Sequence, residues 1–135
     1  MTYPITHIAG IDAETAVELK KAGIRSTGRL LKLARTARGR KMLADKTGID
    51  VRQLLAWANG ADRMRIRGIS REYAELLQVA GVDTVRELKY RNPGKLAEAM
   101  AAANRRRKLV RVLPSQTAIA RWIEDAKNLP PMISY

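Results

Sequence analysis

Apolar side chains recur every three to four residues along most of this 135-residue chain, and glycine or a small polar residue interrupts them at short intervals. The plainest case is residues 66–88, IRGISREYAELLQVAGVDTVREL. Ile69, Tyr73, Leu76, Leu77 and Ala80 fall on one face at helical spacing. Ser70 is placed to cap a helix over 71–79, Gly81 to close it, and residues 82–84 to start the next. By the same signals, earlier helices are predicted over 13–22, capped by Asp12, from Ser26 or Thr27 to 33, over 38–46, and over 51–58. Asn59 and Gly60 should stop the last of these. Residues 61–67 then read as an extended linker. Asn92 with Pro93 opens a longer helix striped by Leu96, Met100 and Ala103. Ser115 caps a final helix around 118–126, and residues 130–135 form a tail on the surface.

The pattern occurs twice. Residues 8–31 align with 66–89 without a gap, so that Gly10 matches Gly68, Ile11 matches Ile69, and Leu19 matches Leu77. Ala22, Gly23 and Ile24 likewise match Ala80, Gly81 and Val82, and the surroundings of Trp57 resemble those of Trp122. A repeat at fixed period fixes architecture more firmly than one motif. The expected fold is all-α, about eight short helices arranged as a duplicated helix-hairpin-helix (SAM-like) domain. Residues 1–60 form the first pseudo-repeat and 61–129 the second, within one globular unit.

Composition narrows the function. With 46% hydrophobic residues the chain can bury a core, and with no Phe and 4% aromatics that core must be aliphatic. The absence of Cys removes disulfides, thiolate metal sites and cysteine nucleophiles. No apolar run has membrane-spanning length and the first residues lack a signal peptide's pattern, so a cytoplasmic protein is expected. The 26 Lys and Arg residues outnumber 13 acids, a net charge of +13, which points to a polyanionic partner.

A glycine next to an apolar residue, joining two short helices, is the layout of a helix-hairpin-helix unit. It leaves backbone N–H groups at a helix start where a phosphate can sit. Five such turns occur, at Gly10, Gly23, Gly48, Gly68 and Gly81. Where the strongest DNA-binding hairpins have a second glycine, this chain has Asp12, Arg25, Asp50, Ser70 and Asp83. An aspartate there competes for the N–H groups and repels a phosphate. The best candidate is therefore Gly68, Ile69 and Ser70 between Arg67 and Arg71. Gly23, Ile24, Arg25 and Ser26, with Arg29, come second. Arg63, Arg65 and Arg67 alternate, so an extended linker would point them the same way. Arg105, Arg106, Arg107 and Lys108 exceed what capping a helix end requires. Trp57, Trp122, Met64 and Met100 read as packing residues.

Catalysis has no support. His7 is the only histidine, and no paired carboxylates, nucleotide-binding glycine loop or nucleophile–base pair is present. No metal or other cofactor is expected.

The second copy resembles the helix-hairpin-helix units of recombinase N-terminal domains and Y-family polymerases. The segments GRKMLADKTGI, ADRMRIRGISREYAELLQVAGVDTVREL, RNP and KLVRVLPS, with the following Trp122 and Ile123, resemble more closely a bacterial family (DUF4332-like) catalogued as a domain of unknown function. That resemblance implies a DNA-binding fold and no established activity. The expected function is thus non-catalytic, non-sequence-specific binding of double-stranded DNA. An adaptor for an acidic protein partner, or an RNA-binding protein, is the alternative.

Overall fold

The computed structural model describes residues 2–135. Among these the chain is all-α, with eight α-helices, one 3-10 turn at Ile5–His7 and a single isolated bridge between Pro4 and Ser26. The helices are α1 (Ala13–Lys21), α2 (Thr27–Ala34), α3 (Ala37–Thr47), α4 (Val51–Arg63), α5 (Arg71–Val79), α6 (Val85–Lys89), α7 (Pro93–Arg107) and α8 (Gln116–Asn128).

Short polar residues set their starts. The side chains of Asp12, Ser26, Thr36, Thr84, Asn92 and Ser115 each accept from the backbone N–H three residues on, at 2.8–3.1 Å. Asp50 accepts from the Arg52 N–H at 2.7 Å. Pro93 occupies the first turn of α7, where its missing N–H costs nothing. Ser70 stands at the N-cap position of α5 but makes no side-chain cap bond.

The described chain falls into two compact units. The first runs up to Asp62 and takes back Met132–Tyr135; the second is Arg63–Pro131. In the first, the 3-10 turn packs on α1 and α2, and α2 packs on α3. Ile5, Leu19, Ile24, Leu30, Ala34, Leu54 and Ala58 are wholly buried. Helix α4 does not stop at Asn59 and Gly60 as predicted; it continues for three more residues. Both residues are buried, and Asn59 accepts a hydrogen bond from the Tyr135 hydroxyl at 3.1 Å. Tertiary packing here outweighs the roughly 1 kcal/mol that glycine costs inside a helix.

The expected surface tail is fastened. Arg40, buried, donates to the carbonyls of Ala34 and Ser134, both at 2.8 Å, and the Ser134 N–H donates to the Arg35 carbonyl.

In the second unit α5 packs on α7, and α8 on α6 and α7. Ile69, Leu76, Leu77, Val82, Leu88, Leu96, Met100 and Ile119 make the core. Trp122 and Met64 are buried here, as is Trp57 in the first unit, in agreement with their reading as packing residues. A matching detail ties each tryptophan to a glycine. Gly10 and Gly68 both have φ +93, and a Cβ built on them would lie 3.3 Å from Trp57 Nε1 and 3.0 Å from Trp122 Nε1. The two glycines are required twice over, by backbone conformation and by the indole edge.

Candidate nucleic-acid interface

The first candidate, Gly68, Ile69 and Ser70 between Arg67 and Arg71, lies at the start of α5. Gly68 turns the chain in the left-handed region, Ile69 is buried as an anchor, and its N–H is used by the Ile66 carbonyl. The Ser70 side chain leaves the first turn uncapped, and no protein group among the described residues accepts from the N–H groups of Arg71, Glu72 and Tyr73. Those are the orphan donors of a helix start, at the positive end of its dipole. Arg67 and Arg71 stand exposed beside them.

The second candidate differs at its helix start. The N–H groups opening α2 are all occupied. Thr27 donates to the Tyr3 carbonyl at 2.8 Å, Gly28 to Thr2 Oγ1 at 3.1 Å, and Arg29 to Ser26 Oγ at 3.1 Å. The Arg25 carbonyl accepts from Ile5, and Ile24, buried, donates to the Leu19 carbonyl. The first three N–H groups of α2 are therefore not open to a phosphate as those of α5 are, because the segment before the 3-10 turn lies across them. Arg25 and Arg29 stay exposed as plain cations. The reading of Asp12 as a competitor for helix-start donors agrees with its contacts. Its carboxyl is held below the ordinary 3.8 chiefly by the hydrogen bond from the Thr15 backbone N–H.

The linker arginines also divide. Arg63 lies in α4, not in an extended segment, and is 3% exposed. Its Nε donates to the Ala74 carbonyl at 3.2 Å and its Nη1 to the Asp83 carbonyl, so it ties α5 to the turn before α6 and faces no solvent partner. Arg65 donates to the Pro130 carbonyl at 3.2 Å. Only Arg67 of the three is exposed. Arg105, Arg106, Arg107 and Lys108 are all exposed at the end of α7, where Arg107 meets Glu75 at 3.6 Å. Lys108 caps the helix at φ 50, alone among the described non-glycine residues in having a positive φ.

The second unit also holds features that the sequence reading missed. An open cleft of about 880 Å³ is lined by Arg67, Gly68, Tyr73, Arg121, Trp122 and residues 112–115, with Asp125 as its acid. A shallower one of about 380 Å³ adjoins Ser70, Glu72 and residues 109–112. Tyr73 belongs to both, packed on Trp122 at 5.5 Å between ring centroids. Arg121 carried no sequence signal, being one cation on a mixed helix. The structure thus brings Arg67, Gly68 and Arg121 together.

A family model described as Domain of unknown function (DUF4332) matches residues 9–129. The chain belongs to that family. The match spans the starts of both α2 and α5, and leaves outside it the residues that cover α2, Thr2 and Tyr3, and the fastened segment at 132–135. No curated protein and no solved structure matches the chain. Among the described residues no helix is long and apolar enough to cross a membrane, and no group of three His, Cys, Asp or Glu side chains is placed to hold a metal ion.

Proposed function

We propose that this protein binds double-stranded DNA without catalysis and without reading its sequence, and that the second unit makes the grip. Each unit is read as a helix-hairpin-helix pseudo-repeat; the equivalent Gly10–Trp57 and Gly68–Trp122 contacts support the duplication. The observation that carries the binding proposal is the uncapped start of α5, flanked by exposed Arg67 and Arg71. Backbone donors there would take a phosphate, while Arg121, Arg105, Arg106, Arg107 and Lys108 add attraction at longer range. Phosphate contacts position a protein and carry no base information, so sequence preference is weak.

The test is fluorescence anisotropy of a labelled duplex across a salt series. Micromolar or tighter binding that weakens steeply with salt is expected. Arg67→Glu with Arg71→Glu should lower affinity strongly and leave the fold intact, since a glutamate in the first turn suits the helix dipole. Arg25→Glu with Arg29→Glu should cost much less. Unchanged affinity in the Arg67 and Arg71 variant would remove α5 from the site. RNA winning in competition would move the same residues to an RNA-binding role, and no binding at low salt would favour an acidic protein partner.

A further inference from the structure

Between α7 and α8 the second unit carries a loop, residues 109–115, where the first has only the three-residue turn Gly48, Ile49, Asp50 between α3 and α4. The loop is pinned at two points. Asn104 Nδ2 donates to the Val110 carbonyl and the Val110 N–H donates to Asn104 Oδ1, both at 3.0 Å. The Tyr73 hydroxyl donates to the Val112 carbonyl at 2.9 Å. Within it, at the edge of the cleft, Val112 is 71% and Leu113 41% exposed, followed by Pro114. Single exposed aliphatics need no explanation. Adjacent ones on a fastened loop, with Arg111 before them and Arg67 and Arg121 lining the same cleft, do.

We propose that Val112 and Leu113 form an apolar wedge that enters a weakened base step of duplex DNA, making a mismatch, bulge or junction the preferred target. The proposal rests on the DNA-binding reading above and adds the structure of the target. Aliphatic side chains and proline are the residue types that wedge between base steps, and such insertion requires cations beside the wedge to hold the flanking phosphates. Arg111 and the run from Arg105 to Lys108 supply them. Fastening the loop before binding removes the ordering cost of a mobile tip. A protein groove would call for a wider apolar patch, and a lipid surface for more buried apolar area than two aliphatic side chains offer. An unpaired base is the cheapest to displace, so it sets the preference.

The experiment compares a fully paired duplex with the same duplex carrying one mismatch, labelled with 2-aminopurine next to it. The probes are the wild-type chain and Val112→Ser with Leu113→Ser. The wild type should bind the mismatched duplex at least about tenfold tighter and raise 2-aminopurine fluorescence by unstacking it. The variant should lose both effects and keep its affinity for the paired duplex; both side chains are exposed, and an unchanged urea midpoint confirms its fold. A wild type that binds both duplexes equally, or a variant that keeps the preference, overturns the wedge and leaves the DNA-binding reading standing. Failure to bind even the paired duplex overturns both. Anionic phosphatidylserine vesicles, binding the wild type in place of DNA, would overturn the wedge in favour of a lipid surface.

Discussion

At the scale of single residues, Gly68 and Gly23 make a controlled pair. Both sit at positive φ, but a Cβ on Gly23 meets nothing within 4 Å, whereas on Gly68 it meets Trp122 Nε1 at 3.0 Å. Gly23→Ala should cost the left-handed backbone penalty of about 1–2 kcal/mol. Gly68→Ala should cost more, because the buried indole must also shift, and urea unfolding measures the difference. Asp12 gives a prediction in pH. Its folded carboxyl titrates below the ordinary 3.8, so the cap stabilises α1 above about pH 4 and is lost as acid protonates the folded carboxyl. Asp12→Asn, which can still cap, should narrow the gap between urea midpoints at pH 5 and pH 3. These positions were legible because turns and caps are local: glycine, aspartate and serine announce themselves within four residues. Arg40 and Arg63 were not legible. A count of cations carries no information about burial, and each guanidinium finds its carbonyls only once distant segments have met.

Among the elements, α4 and α2 show where local reasoning ended. Gly60 marked a stop that packing overrode, and with the stop went the extended linker on which Arg63 was placed. Arg63→Met should destabilise the protein by about 2–3 kcal/mol, the worth of charged hydrogen bonds to the Ala74 and Asp83 carbonyls, as read by urea unfolding. Affinity for DNA, compared at equal folded fraction, should not change. The helix starts divide on the same principle. That Ser26 would cap α2 followed from its type, but Tyr3 closes α2 from 24 residues away, a pairing no window of sequence contains. The loop at 109–115 is the reverse case. Ser115 was visible as the cap that ends it, while the bond from Tyr73 that fixes it spans 39 residues.

For the whole molecule, the +13 charge is distributed rather than uniform. Fifteen of the 26 cations and seven of the 13 acids lie in Arg63–Pro131. Three arginines are also committed internally, Arg40, Arg63 and Arg65, each donating to backbone carbonyls. The slope of log affinity against log salt should therefore report far fewer phosphates than the net charge suggests. Arg67→Glu with Arg71→Glu should make that slope shallower by about 2, one unit per lost phosphate contact, and Arg63→Met should leave it unchanged. Total charge was plain in the composition; which charges are available was not.

The strap of Thr2 and Tyr3 across α2 has a consequence for valence. A chain that repeats its folding unit would be expected to hold a polyanion with two equal hands, gaining avidity and bridging neighbouring duplexes. With one helix start plugged by the chain itself and the other open, the grip on offer is single. On the proposed reading the duplication serves the scaffold, and the protein should bind a phosphate backbone with a stoichiometry of one site per chain.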